Sequence, residues 1–566
     1  MWTPKTERTR ATLLLLLLGA LMFLPFLGLS DFNSKGEPRE AIVAQQMLLS
    51  GNWILPETPD GEFAYKPPMF HWLIAIASLP TGEVTEWTSR LPSALAAILT
   101  ALYTFLFFTR RAREDAKTLS TAFLTSIVML TSFEVWRAAV NCRVDMVLTF
   151  FIVAALFHLY SWVEGGLRGL PLAGIVMMGL GTLTKGPVAI LLPCMVCGIL
   201  ALIVTHERSE NTRQRTWRWT KTFLRFVPLV LLALVIPALW YYAAWHQAGN
   251  KFLYLVYEEN VLRFLGRMPY HSHEHGLFYY FPILLAGLLP WTLLLLAIPL
   301  RKWHAVGTRW RDIPLQELFS RLAILLIFVF YLIPKSKRGV YLLPLYPFLS
   351  YYIARVVILL SRERPKILTV FQWTLSGILL VAVTGYTLIQ FGLFSIKGFP
   401  VAEYDAEWPM LMAVVCLIAA YFILQRYAPR TSLAIYNVVV VVVLLIAFIL
   451  PPVMNTKSDK PFAAVIEAES AHVPAYNYVA DDTGMMHHFT LQFYTDGRLL
   501  NWPSTNESER FNTSGHQLPE RGILLIGEKD VIKFQQQFPE VRLHAPEDLH
   551  HRSCDTRQNL LIYRFD

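Results

Sequence analysis

Apolar residues in this chain come in long blocks separated by short, charged loops. About 20 apolar residues cross a bilayer as a helix. On that ruler the pattern predicts about thirteen spans, at roughly 11–30, 91–109, 118–138, 145–163, 170–183, 187–204, 222–245, 276–299, 318–334, 340–360, 367–393, 408–425 and 431–451. The fifth is short and stops at Thr184-Lys185-Gly186-Pro187, so spans five and six read as a tight hairpin. Met69–Leu79 (MFHWLIAIASL) is too short to span and reads as an amphipathic helix along the interface, with His71 and Trp72 at headgroup level. After Pro451-Pro452 the pattern changes to polar sequence with short β-type runs at Ala475–Ala480, Leu491–Tyr494, Gly522–Gly527 and Leu560–Arg564, and helical stretches at Lys460–Ser470 and Lys529–Phe538. Strands alternating with helices predict a small α/β unit. The expected architecture is a polytopic α-helical membrane domain over 1–451, with a large first outer loop at 31–90, followed by a soluble α/β domain over 452–566.

Composition agrees with the pattern. Of 566 residues 54% are hydrophobic and 16% charged, against about 45–50% and about 25% in soluble domains. That excludes an ordinary soluble enzyme. The net charge of +9 does not point to nucleic acid, because the basic residues sit in short loops between spans. One alternate set of loops (KTERTR, RRAREDAK, HERSENTRQRTWRWTK, RKWHAVGTRWRD, SRERPK, RYAPR) is densely basic and therefore cytoplasmic. The opposite set, with residues 31–90, Asn141–Val144, Thr184–Gly186, 246–275, Lys335–Gly339, 394–407 and the C-terminal region, is then external. The basic N-terminus and its apolar run read as a retained first helix. Cys194 and Cys197 form a CxxC inside an apolar run, where cysteine packs as a small hydrophobe.

Candidate chemistry gathers on the external side. The cations are Lys66, Arg143, Lys185, Lys335, Lys337 and Arg338, the last three opening onto Tyr341; the carboxylates are Glu37, Glu40 and Asp145. Between these groups the spans are nearly free of ionisable residues, whereas a proton-coupled carrier keeps such groups near the midplane. Charges at one interface fit an enzyme acting on a lipid with an anionic head. Lysine and arginine bind a lipid phosphate, while carboxylates orient those cations, take a proton or hold a metal. His271, His273 and His275 form an HxHxH in the loop at 246–275. A carrier or flippase of lipid-linked sugars, or a relative that binds lipid without catalysis, shares the span count and the outer cations.

Seven segments together resemble the C-type (GT-C) lipid-linked glycosyltransferases, in the bacterial branch of the lipid A aminoarabinose transferases, related to protein O-mannosyltransferases. They are GEPREAIVAQQMLLSGNWILP, YKPPMFHWL, RVDMVLTFF, GLGTLTKGPVAILLP, ENVLRF, HEHGLFYYFPILLAGLLPW and KSKRGVYLLPLYP. The resemblance implies thirteen membrane helices, a periplasmic C-terminal α/β domain, and inverting transfer of a sugar from undecaprenyl phosphate. The acceptor would be periplasmic, such as lipid A, another glycolipid or a protein, and the location the bacterial inner membrane. It assigns Glu37 and Arg39 to the first-loop acidic motif, Lys66 to the donor phosphate, Asp145 to the acidic position opening span four, and Lys185 to the hairpin. Asp145 and Glu37 are the expected catalytic carboxylates. Arg143, Lys335, Lys337, Arg338 and Tyr341 join Arg39, Lys66 and Lys185 as substrate-binding residues. His273 is the candidate ligand of a divalent metal (zinc, or magnesium or manganese). Two positions depart from the family: Gly36 stands where the first of two adjacent acids is usual, and Tyr65 where glutamate usually precedes the lysine.

Overall fold

The computed structural model describes all residues except 1–3, 60–62, 65, 111–115, 208–211, 259–261, 263–273, 297–312, 391–392, 394–429, 471–472, 479–487, 503–517 and 545–550. The expected polytopic helical fold is present. Among the described residues eight helices are long and apolar enough to cross a membrane, or nine if a bent pair is taken as one span. The predicted span at 408–425 and part of that at 276–299 lie outside the described residues.

Three groups of helices build the membrane part. The first is α1 (Pro4–Phe23), the loop helices α2 (Pro38–Ser50) and α3 (Met69–Ser78), and α4 (Glu86–Thr109). The second is α5 (Ala116–Thr131) and α6 (Phe133–Ala139), the bent pair at 67°, with α7 (Val144–Glu164), α8 (Leu172–Lys185), α9 (Val188–Glu207) and the long α10 (Thr212–Tyr257). The third is the short α11 (Tyr280–Gly287) and α12 (Thr292–Leu296), then α13 (Leu315–Leu332), α14 (Tyr346–Glu363), α15 (Pro365–Gln390), α16 (Arg430–Leu444) and α17 (Leu450–Asn455).

The centre of the bundle is α7, whose apolar window is 83% buried within the protein, against 22% for α1. Between Asp145 and Glu164 it carries no acidic or basic residue apart from His158. Helices in lipid associate by close packing rather than by hydrophobic burial. Here that packing is aromatic on one side: Phe107 and Phe157 stack with ring centroids 4.0 Å apart, and Phe319 and Phe348 close against them edge-on. On the other side Gly181 lets α8 approach; a Cβ there would lie 2.7 Å from the Cβ of Ala189 and 3.1 Å from that of Phe151. The antiparallel α7–α8 hairpin therefore brings the start of α7, with Asp145, to the same end as the last residue of α8, Lys185.

The C-terminal region holds a mixed five-stranded sheet in the order β2-β1-β3-β5-β4. Its strands are β1 (Ala475–Tyr478), β2 (Leu499–Asn501), β3 (Gly522–Gly527), β4 (His551–Arg552) and β5 (Asn559–Phe565). The β1–β2 and β1–β3 pairs are parallel, and β5 runs antiparallel to β3 and β4. Side chains alternate along a strand, so Ile523 and Leu525 of β3 pack with Phe462 and Ile466 of α18 (Lys460–Glu469) on one face. Leu524 and Ile526 pack with Phe534 of α20 (Val531–Gln537) and Trp502 on the other.

Two expectations need correction. Leu491–Tyr494, read as β-type, lies in α19 (Phe489–Tyr494). Its first turn is capped from far along the chain: the Thr490 backbone N–H and hydroxyl donate to the Asp555 carboxylate at 2.8 and 3.0 Å. With both faces occupied, Leu491 by the sheet core and Phe493 by the membrane-domain core, tertiary packing outweighs the β preference of its aromatic residues. The second is His71. Its ring is buried within the protein rather than facing lipid headgroups, because α3 turns that face onto α2, while Trp72 donates its indole N–H to the Trp53 carbonyl at 2.6 Å.

Candidate active site

One end of the bundle collects the charged groups. From α2 come Arg39 and Glu40, from the loop ahead of α3 Lys66, from α3 His71, from the start of α7 Arg143 and Asp145, and from the end of α8 Lys185. Lys185 pairs with the Asp145 carboxylate, and its ammonium also lies 4.7 Å over the Tyr341 ring. Lys66 pairs with Glu40, whose second oxygen lies 3.0 Å from His71 Nε2. Burial, together with the neighbouring Arg39, Lys185 and Arg143, holds the Lys66 ammonium well below the usual lysine range, and Asp145 opposes them. Burial and the positive charges of Lys66 and Arg39 push His71 down to about 3, so its ring is neutral and donates to Glu40. The three carboxyl and imidazole groups are each nearly fully buried, where a cation and an anion interact far more strongly than in water.

The first-loop motif divides into two roles. Glu40 faces the cluster, whereas Glu37 is held beneath it. The Arg90 guanidinium, from the first turn of α4, grips both Glu37 oxygens, through Nε at 2.9 Å and Nη2 at 3.2 Å, and the Cys142 backbone N–H donates to Oε1 at 2.8 Å. Arg90 also donates to the carbonyls of Leu27 and Ser30 and lies over the Phe32 ring. This clasp ties the end of α1, the first loop, α4 and the α6–α7 connection together. Ahead of it, a Cβ on Gly36 would fall within the Arg143 guanidinium. Arg143 thus fills the volume that an acidic side chain at position 36 would need.

The cations at 335–338 do not gather in the same way. Lys337 is buried, but its ammonium donates to the carbonyls of His275, at 3.2 Å, and Pro334. Lys335 is exposed, and its carbonyl accepts from the His275 N–H at 3.2 Å. Arg338 leads into the 3₁₀ segment Gly339–Leu345, which presents Tyr341 to Lys185. His273, the expected metal ligand, lies outside the described residues. Among the described residues the cluster does not assemble a metal site, because a lysine ammonium occupies each of its facing carboxylates, Glu40 and Asp145. The closest His/Cys/Asp/Glu group among them is Asp459, Cys554 and Asp555 in the C-terminal region, where the carboxylates cap Thr490 and Cys554 N–H groups instead.

From the sequence, Arg90 and Arg137 carry no assigned role, and His71 reads as interfacial rather than as part of the cluster. Arg137, half-exposed on α6 and paired with Glu134 at 2.6 Å, adds a further positive charge acting on Asp145. The one available signal was Arg90 itself, a full charge at the head of an apolar span, where an unpaired ion is costly.

A buried, mostly cationic cluster thus sits at one end of a multi-pass helical bundle, and the fold is that of the GT-C membrane glycosyltransferases. The chain resembles, in particular, the bacterial aminoarabinose transferases. Residues 65–251 match the family described as dolichyl-phosphate-mannose-protein mannosyltransferase. An undecaprenyl phosphate-alpha-4-amino-4-deoxy-L-arabinose arabinosyl transferase of Shewanella sediminis is 27% identical over 452 residues, 78% of this chain and 77% of that protein. The transferase of the same description from Erwinia tasmaniensis is 28% identical over 61% of this chain, and the match spans 59% of that relative's length. The crystal structure of ArnT from Cupriavidus metallidurans bound to undecaprenyl phosphate superposes with a TM-score of 0.68 at 19% identity, covering 98% of this chain and 97% of that one. It has the same fold.

Proposed function

We propose that the protein transfers a sugar from a polyprenyl phosphate, undecaprenyl phosphate in a bacterial inner membrane, to an acceptor on the periplasmic side, inverting the anomeric centre. The observation that carries this reading is the meeting of Arg39, Lys66, Arg143, Lys185 and Asp145 at one end of the bundle. The donor is a phosphodiester with one negative charge. As the bond from C1 to the phosphate oxygen breaks, its electron pair leaves with the phosphate, which becomes a monoester with a second charge. Lys66 and Arg143 bind that phosphate and stabilise the charge that grows on it, a term that is large in a water-poor site. The acceptor oxygen attacks C1 from the opposite face. For a hydroxyl acceptor Asp145 takes the proton; for a phosphate acceptor, already anionic, it orients Lys185. The helix start favours the ionised form of Asp145.

Glu37 has a different task from the one its motif suggested. With Arg90 and the Cys142 N–H on its oxygens, it holds the first loop in place. The acceptor class extends to lipid A, other glycolipids and proteins.

The test uses purified full-length protein in lipid nanodiscs, a labelled polyprenyl-phosphate sugar, and envelope lipid and protein fractions as acceptors. The expected result is labelled acceptor and free polyprenyl phosphate from wild type, and neither from Lys66→Ala or Asp145→Asn at unchanged folded yield. Label that crosses the membrane without changing chemical form would identify a carrier and overturn the reading.

A further inference from the structure

We propose that Glu40 is a positioning residue for the phosphate-binding lysine: fixed by His71, it holds the Lys66 ammonium charged and aimed into the cluster until an anion arrives. This rests on the phosphate-binding role proposed for Lys66.

Geometry carries the inference. Glu40 lies on the inner face of α2 and is nearly fully buried. One oxygen receives Lys66 and the other faces His71 Nε2 at 3.0 Å. His71 is 2% exposed, and its Nδ1 is buried without a hydrogen-bond partner among the described residues. With one nitrogen unpaired, the ring is stable only as the neutral Nε2–H tautomer, so it acts on Glu40 as a fixed donor and leaves the carboxylate's charge for Lys66. Among the described residues, the other two carboxylates near the cluster are committed elsewhere, Glu37 to Arg90 and Asp145 to Lys185.

Lys66 needs such a partner. Arg39 and Glu40 reach it from α2, His71 from α3, Arg143 and Asp145 from the start of α7, and Lys185 from the end of α8. The positive charges of Arg39, Lys185 and Arg143 favour loss of the lysine proton, as burial does. Asp145, on the Lys185 side, offsets part of that. Among the described residues, Glu40 is the carboxylate paired with it. A phosphate can then approach a lysine that already carries its proton, with no proton uptake needed at binding.

The test is the affinity of full-length protein in nanodiscs for undecaprenyl phosphate itself, followed by tryptophan fluorescence from pH 6 to 10, in wild type, Glu40→Gln, Glu40→Asp and His71→Gln. The lipid's own titration is common to all four proteins, so the differences between them report on the site. At pH 6 Glu40→Gln is expected to bind as tightly as wild type or more tightly, since a repelling carboxylate is gone. Its affinity should then collapse as pH rises, at a midpoint at least one pH unit below that of wild type. Glu40→Asp should restore most of the wild-type midpoint, and His71→Gln, which keeps a donor, should lie close to it. A Glu40→Gln protein weakened equally at every pH, or one with the wild-type midpoint, overturns the proposal. A wild-type protein that does not bind undecaprenyl phosphate at any pH would instead overturn the donor assignment on which it rests.

Discussion

The two ends of α7 each carry an acid paired with a base, yet they differ in kind. At its start Asp145 pairs with Lys185, and Lys66, Arg143 and Arg137 also act on it. At its end, ~30 Å away by helix rise, Glu164 pairs with the partly exposed Arg110 and accepts from the Tyr160 hydroxyl at 2.9 Å. The second is a single local anchor, with Arg110 partly exposed and Glu164 mostly buried. The first draws charge from four separate elements into a nearly dry space. An ion pair at the head of a helix is therefore not what marks the site. The convergence of like charges is, because their repulsion has to be offset by anions, of which Asp145 and Glu40 supply a part.

The largest expected effect separates these ends directly. Lys66→Ala and Asp145→Asn should each lower sugar transfer by about 100-fold or more, the scale on which a single stabilising group acts in a transition state. Arg110→Ala and Glu164→Gln should leave it within about twofold, because that pair lies about a helix length from the cluster. Turnover of labelled donor by the four purified proteins checks this, and equal losses at both ends would dissolve the distinction.

Next comes Arg90→Ala, which leaves the buried Glu37 carboxylate without its cation. Breaking such a pair costs ~3–5 kcal/mol. Thermal unfolding in detergent should show a large drop in Tm, and Arg90→Lys should recover only part of it, since lysine cannot grip both oxygens.

A smaller effect is expected at Gly36, where any side chain must displace the Arg143 guanidinium. Gly36→Ala should reduce donor turnover at least about tenfold, the low end of what losing one charge-assisted hydrogen bond worth ~1.5–3 kcal/mol implies, with little change in Tm. An unchanged rate would remove Arg143 from the phosphate.

The smallest effect concerns pH and stability. His71, held down to about 3 in the folded protein, returns to an ordinary imidazole value of ~6.5 on unfolding. Between those values the unfolded chain binds the extra proton, so stability falls as pH drops from about 6.5 towards 3. Tm measured at pH 7.5 and 5 should fall more in wild type than in His71→Gln.

How much of this was visible beforehand depended on the range of the interactions. Hydropathy placed the spans, because lipid imposes a length rule on each segment separately. Loop charge put Lys66, Arg143, Asp145 and Lys185 at one end, and the structure brings those four together. Contacts between distant segments were not readable. Arg90 meets Glu37 across 53 positions, and Asp555 caps α19 across 65; nothing local in FTLQFY announces a helix. Lys337 looked like a phosphate ligand because an external basic cluster runs against the usual loop bias, but its ammonium is spent on two carbonyls. His71 sat in an apolar helix that read as interfacial, and only the packing of α3 on α2 turns it inward.

The most direct test of the convergence is a cryo-electron microscopy map of the full-length protein in nanodiscs with undecaprenyl phosphate. The account predicts phosphate density within hydrogen-bonding reach of Lys66 and Arg143, at the Asp145 end of α7. Density instead against Lys335 and Lys337, or at the Arg110 end, would contradict it.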